Sequence, residues 1–458
     1  MYTGKLLNLL LVALHLSDEC YRVGDWMPSD HRAQREWLRN VIDHVDKNPK
    51  ELHPVIVEFR DLIESDTRIF LLVQSMFEQI PNKKPYNSDP SAEHKQVRDY
   101  RHMLELLNHL LTSAPHWSDA SRKAGMVGLP INAALDWPMG TPSGFAFFLD
   151  PAVNKIFKKL INAWGTFLSS QESAKQALGG DSAGWFSPSG KAQLTATANA
   201  ASFSSKQDDF ETLFHCDPTK PHHGYTSWDN FFTRTFRFED GIRPVASPED
   251  DNVIVNACES KPYNIARNAQ LRDRFWVKGQ PYSVRDMLGH DVLAEQFKGA
   301  TVYQAFLSAL SYHRWHAPVS GTVVKAFVKD GTYYSEPLFE GLGDPQHAAN
   351  GTIDESGETT SQGYLTAVAT RAVIFIEADN AAIGLMAFIG VGMAEVSTCD
   401  ITVKQGQRVQ KGEQIGMFHF GGSTHCLLFH EGVDVQGFPQ PGPEHNIPVR
   451  SQLAVVRP

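Results

Sequence analysis

Apolar residues recur three and four apart along five stretches of the first 170 residues: QREWLRNVIDHV, VIVEFRDLIES, RIFLLVQSMFEQI, RHMLELLNHLLTS and NKIFKKLINAWGTFLSS. That spacing puts one apolar stripe on each segment and predicts amphipathic helices. From about residue 245 the pattern changes. NVIVNACES, GTVVKAFV, AVIFIEA, IGLMAFIGVG and EVSTCDITV are β-branched or alternating and are separated by turn residues, as expected of strands. The chain therefore reads as α+β, a helical N-terminal domain over 1–224 followed by a mainly β domain over 225–458. Between them, the stretch from 172 to 206 is rich in Gly, Ser and Ala and reads as a flexible segment. In YTSWDNFFTRTFRFEDGIRPV, Thr226 or Ser227 can cap a helix whose aromatics follow at helical spacing. The polar run 335–364 interrupts the strands, and such a loop is either functional or a solvated insertion.

Composition narrows the classes. A formal net charge of −10 argues against a nucleic-acid partner and gives no polybasic membrane signal. Five scattered cysteines without a C-x-x-C pair point to a reduced, cytoplasmic compartment and no structural zinc. KLLNLLLVALHL near the N-terminus lacks a small-residue cleavage site and reads as a packed helix rather than a secretion signal. No run reaches the ~18 apolar residues of a membrane span.

Four short stretches carry possible chemistry. In YHRWHAPVSGTV, His313 and His316 lie three apart, but no third ligand accompanies them, so a metal site is not indicated. Trp315 between them suits either a core position or stacking on an aromatic ligand. Glu259 ends the apolar run of NVIVNACES, where it reads as a surface or sheet-edge carboxylate. GVGMAE at 390 has a lone G-x-G and reads as a strand end. In MFHFGGSTHCLLF, a Gly-Gly pair precedes Ser423 and Thr424. Glycines tolerate positive φ and let another group approach the backbone closely, so the simple reading is a turn between strands.

Together these segments resemble the phosphatidylserine decarboxylase family of pyruvoyl-dependent enzymes. NFFTR…RPV, YHRWHAPVSG, QGQRVQKGEQIGMFHFGGST and the GGST corner occur in the family's order over about 225–430. Two departures stand out. ACES replaces the family's A-D-G turn, putting Glu259 where an aspartate is usual, and Gly421 replaces leucine in L-G-S-T. With the long helical N-terminal region, SYHRWHAPVSGTVVK, FIEADNAAIGL and GMFHFGGS are similar to the soluble fungal L-tryptophan decarboxylases of this family.

The resemblance implies a self-processing enzyme. Cleavage between Gly422 and Ser423 would convert Ser423 into a covalent pyruvoyl cofactor, and the large and small chains would remain associated. His316 would be the base for self-cleavage, Glu259 would orient it, and His313 would handle substrate or transfer a proton. The reaction implied is decarboxylation of an amino acid, L-tryptophan or a related aromatic one, to its amine and CO₂ through a Schiff base. The alternative substrate within the family is phosphatidylserine. A reading of another class also exists. APVSGTVVKAFVKDGTYY and VKQGQRVQKGEQIG resemble halves of a biotinyl or lipoyl carrier, a non-catalytic binding module, but the Met-Lys-Met tripeptide of a biotin carrier is missing.

Overall fold

A computed structural model describes residues 31–79, 97–117, 130–181, 184–203, 206–272, 282–335, 357–396, 398–420, 423–441 and 445–457. The segment at 5–16, Gly422 and most of the 335–364 run lie outside the described residues. The chain divides into two compact units.

The first unit comprises 1–112, 118–160 and 334–361. Its helices are α1 (His31–Lys47), α2 (Pro54–Ser65), α3 (Thr67–Gln79), α4 (Tyr100–Leu110), α5 (Pro130–Met139), α6 (Pro142–Leu149) and the first part of α7 (Pro151–Leu168). All five helical stretches expected from the spacing are helices. Asp66 both ends α2 and starts α3. Its N–H donates to Leu62 O at 3.1 Å, and its carboxylate accepts from the N–H groups of Arg68 and Ile69 at 2.9 and 3.0 Å. Prolines at the first position of α2 and α6 begin helices where no N–H is needed. Phe59, Phe147, Phe148 and Phe157 are fully buried and pack with ring centroids 5.2–6.2 Å apart.

The second unit comprises 113–117, 161–333 and 362–458. Its boundary with the first differs from the expected division at 224/225. The Gly/Ser/Ala-rich stretch is also not a linker. It forms α8 (Gln171–Ala177) and α9 (Pro188–Ala200). Ser187 caps α9 by accepting from Gly190 N–H at 3.1 Å, Pro188 opens it, and Leu194 and Ala198 are buried. Short helices α10 (Phe210–Leu213), α11 (Trp228–Phe232) and α12 (Val284–Met287) follow. Of the two possible caps, Ser227 starts α11, accepting from Asn230 N–H at 3.0 Å. The end of the polar 335–364 run enters a further helix, α13 (Gly357–Val368).

Among the described residues, thirteen strands make three sheets. They are β1 (Val253–Val255), β2 (Lys261–Ala269), β3 (Ala300–Leu307), β4 (Arg314–His316), β5 (Gly321–Lys329), β6 (Arg371–Ala378) and β7 (Leu385–Gly392), then β8 (Thr398–Ile401), β9 (Arg408–Val409), β10 (Gln414–His419), β11 (Ser423–Phe429), β12 (Val435–Gln436) and β13 (Gln452–Val456). The large sheet has the order β2-β3-β11-β7-β6-β5-β9, and the small sheets are β4-β10-β8 and β1-β13-β12. GVGMAE is a strand end, since β7 stops at Gly392. The α+β class is as expected.

The core lies on one face of the large sheet. Tyr303, Ala305 and Leu307 of β3, Leu427 and Phe429 of β11, and Met386 and Phe388 of β7 meet Trp315 and Phe418 from the β4-β10-β8 sheet. Trp315 is fully buried, 4.6 Å from Phe418 and 5.3 Å from Phe388 by ring centroid. Glycine is required beside it. A Cβ on Gly416 would lie 2.4 Å from the Trp315 ring and 2.5 Å from Asp400 O. Of its two possible roles, the core position is the one the structure gives Trp315.

Candidate active site

Side chains alternate across a strand, so Ser423, His425, Leu427 and Phe429 share the core face of β11. Ser423 pairs with Leu307 on one side and Gly392 on the other. It is fully buried, and among the described residues its hydroxyl has no hydrogen-bond partner. A buried unpartnered hydroxyl is costly and invites a functional explanation.

The two histidines of YHRWH occupy different surroundings. His316 is buried. Its Nδ1 lies 2.8 Å from Gly412 O and its Nε2 3.0 Å from Tyr312 Oη. A carbonyl only accepts, so Nδ1 carries the proton and Nε2 offers its lone pair to the Tyr312 hydroxyl. Burial drives the His316 pKa down to about 3. His313 is fully buried and stacked on Phe232 at 3.9 Å between ring centroids. Among the described residues neither of its nitrogens makes a hydrogen bond of normal geometry, although the backbones of Ser308 and Phe232 favour its protonated form. Burial dominates and holds His313 well below the usual imidazole range. Ser308 follows Leu307, the partner of Ser423, and His313 O accepts from Phe418 N–H at 3.0 Å. His313 is thereby tied both to the end of β3 and to β10.

Glu259 corrects the sequence reading twice. It is not a surface residue but 2% exposed. It also makes no bond to His316. Its carboxylate accepts from Arg243 Nε at 2.7 Å, from Arg243 Nη2 at 2.6 Å and from Val449 N–H at 3.1 Å. Arg243 further donates to Ala198 O at 2.7 Å. Burial disfavours the Arg243 charge, but the Glu259 carboxylate beside it outweighs burial and raises the Arg243 pKa. The group that orients the His316 ring is the Gly412 carbonyl.

Two residues escaped sequence reasoning. His425 sits two residues after Ser423 on the same face, fully buried, with both nitrogens unpartnered among the described residues and its pKa lowered by burial to about 3. The period-2 rule applied to GGSTH was the signal that placed it beside Ser423. The other is His419, whose Nδ1 lies 2.9 Å from Asp229 Oδ1 on α11. Its partner is far away in sequence, and no local pattern announces it.

The buried imidazoles set an acid limit on stability. His316 and His425 stay neutral when folded down to pH about 3, whereas unfolded histidine takes a proton near pH 6.5. The unfolded chain then binds more protons, so stability is retained above pH ~6.5 and lost as pH falls below it. Each ring contributes roughly 1.4 kcal/mol per pH unit in that window. Urea unfolding at neutral pH and at about pH 5 should show a fall of several kcal/mol. A flat profile would show that these rings are accessible to protons in the native state.

Two family models, both described as phosphatidylserine decarboxylase, match residues 53–194 and 228–447. Decarboxylase iboD of Amanita muscaria is 43% identical over 305 residues, 66% of this chain and 84% of the relative. L-tryptophan decarboxylase of Psilocybe cubensis is 34% identical over 437 residues, 93% of this chain and 92% of the relative. Phosphatidylserine decarboxylase proenzyme 3 of Schizosaccharomyces pombe is 28% identical over 213 residues, 46% of this chain and 19% of that protein. The chain belongs to the phosphatidylserine decarboxylase family. Within it, the chain falls in the fungal branch that includes the L-tryptophan decarboxylases, and it is an enzyme of the decarboxylase type. Among the described residues, no helix is long and apolar enough to cross a membrane.

Proposed function

We propose that the protein is a self-processing, pyruvoyl-dependent decarboxylase of an aromatic amino acid, with L-tryptophan as its substrate. The observation that carries the reading is Ser423. Its hydroxyl is buried and, among the described residues, unpartnered at the first position of an interior strand, directly after two glycines. Serine becomes a nucleophile when a base takes its proton. His316 is proposed as that base, with Nε2 as the basic atom once the Tyr312 hydroxyl yields its place. Attack of Ser423 Oγ on the Gly422 carbonyl converts the amide to an ester. Elimination frees the carboxylate of Gly422, and addition of one water with loss of one ammonia leaves the pyruvoyl group on residue 423.

The pyruvoyl group supplies a ketone that takes up the substrate amine and accepts the electrons left as CO₂ departs. The residues around Ser423 fit such a group, because its face of β11 is enclosed and its hydroxyl has no competing partner among the described residues. His313 is proposed to handle the substrate or return a proton, since it is tied to the end of β3, next to Leu307, the strand partner of Ser423. The two product chains are proposed to stay together. Residues 423–429 pair with β3 on one side and β7 on the other, so cutting before Ser423 leaves both ladders intact. The substrate assignment rests on similarity to relatives named as L-tryptophan decarboxylases.

Two measurements test this. Purified protein is incubated with L-tryptophan, L-tyrosine, L-phenylalanine and phosphatidylserine in vesicles, and amine and CO₂ are measured. Tryptamine should form fastest, whereas turnover of phosphatidylserine alone would move the enzyme to the lipid reading. The histidines separate by variant. His316→Ala should leave the precursor uncut, and His313→Ala should be cut but lose about 10²–10⁴-fold in turnover.

A further inference from the structure

Residues on either side of the Gly421–Gly422 pair are held by groups outside the proposed chemistry. On the upstream side, His419 Nδ1 contacts both carboxylate oxygens of Asp229, at 2.9 and 3.1 Å. Both side chains are mostly buried, 18% and 15% exposed. Phe420, the next residue, has φ +84°, in the left-handed region that a bulky side chain rarely adopts. Such a conformation persists only where the surroundings over-determine it, and it is characteristic of functional segments. Here the surroundings are specific. The Phe420 ring is buried 6.0 Å from Trp164, and it lies over Gly165 so closely that a Cβ there would sit 2.7 Å from it.

On the downstream side, Ser423 and Thr424 are fixed in β11. The Thr424 hydroxyl donates to Ala305 O at 2.9 Å and accepts from Gln304 Nε2 at 3.0 Å. Gln304 is in turn held by the Tyr282 hydroxyl at 2.6 Å. Both ends of a two-residue span are therefore anchored. An intramolecular attack gains its rate from such constraint, and a displacement of about 1 Å can cost about 10²-fold.

We propose that Asp229, His419, Phe420 and Gly165 form a clamp of positioning residues that sets the backbone ahead of Ser423 for self-cleavage. The proposal rests on the self-cleavage put forward above. The clamp has an ionic half and a steric half. Burial disfavours the His419 imidazolium, but the hydrogen bond and charge of Asp229, with Asp400 on β8 at 3.8 Å, outweigh it and raise the pKa. The charged pair is complete below that pKa and is lost as pH rises through it. His313, which His419 repels when charged, is neutral across the same range. The ionic half thus gives self-cleavage an alkaline limb.

The test is a time course of cleavage of the full-length chain after cell-free synthesis, read on denaturing gels from neutral to alkaline pH. Asp229→Asn keeps the shape of the carboxylate and removes its charge. Gly165→Ala pushes the Phe420 ring out of its seat. Each should slow cleavage by about 10²-fold. The wild-type rate should fall with rising pH, and Asp229→Asn should flatten that fall, which a merely structural role would not do. Thermal unfolding of the uncut Asp229→Asn precursor checks that it is folded. The clamp is refuted if both variants cleave at the wild-type rate with the wild-type pH profile. A wild-type chain that is never cut removes the self-cleavage reading and the clamp with it.

Discussion

Ser423→Ala should leave the protein as one uncut chain that releases no CO₂ from any amino acid. The change removes a single oxygen. That oxygen is buried and makes no hydrogen bond among the described residues, so its loss strands no partner. Removing an unsatisfied buried hydroxyl is close to neutral for stability, or favourable. β11 keeps its pairing on both sides, because the ladder uses backbone groups. The variant should therefore unfold at or slightly above the wild-type temperature. Chemistry, by contrast, should vanish. Without the hydroxyl there is no nucleophile, no ester and no pyruvoyl group, and a loss of at least about 10⁶-fold is expected from the usual scale of enzymatic rate enhancement. Intact mass, thermal unfolding and amine release on one preparation separate this outcome from misfolding. A folded variant that still releases tryptamine would place the reactive group elsewhere.

Glu259→Gln should destabilise the protein strongly. The carboxylate carries both of its contacts to the Arg243 guanidinium inside the core, with Arg243 and Glu259 side chains 4% and 3% exposed. A buried pair is not itself strong evidence of stability, because desolvation offsets much of the attraction. Breaking it is different. The amide leaves a buried cation unpaired, and the cost is about 3–5 kcal/mol. Denaturant unfolding should show that loss. Replacing both partners, Glu259→Leu with Arg243→Met, should recover most of it. If the double variant also regains self-cleavage, Glu259 acts by holding the fold around the site. If Glu259→Gln keeps full stability and only cleavage fails, the carboxylate reaches the histidine after all.

The fold was largely legible from periodicity. Apolar spacing of three and four found α1 to α4 and α7, because an amphipathic helix buries one face, and β-branched runs found β1, β5, β6, β7 and β8, of which β1, β6 and β7 are buried on both faces. The stretch 188–200 was missed for a physical reason. Its small side chains resemble those of a linker, and the informative feature was Ser187 followed by Pro188, a cap and a helix start.

The site was legible in its order of motifs and not in its contacts. Ser423, His313 and His316 come from stretches that resemble the family. Arg243 and Glu259, both residues of usually exposed types, find each other in the core, and Asp229 and His419 are 190 residues apart. Pairings of this kind are made by tertiary structure and leave no local pattern. The same holds for Gly412, whose carbonyl decides the His316 tautomer, and for the Trp315 seat against Gly416.

Denaturing mass spectrometry of the purified wild-type protein tests the central claim most directly. Two masses are expected. One is that of residues 1–422, and the other is that of residues 423–458, lighter by one ammonia than a peptide beginning with serine. A single mass for the intact chain, or a small chain that still begins with serine, would contradict the account.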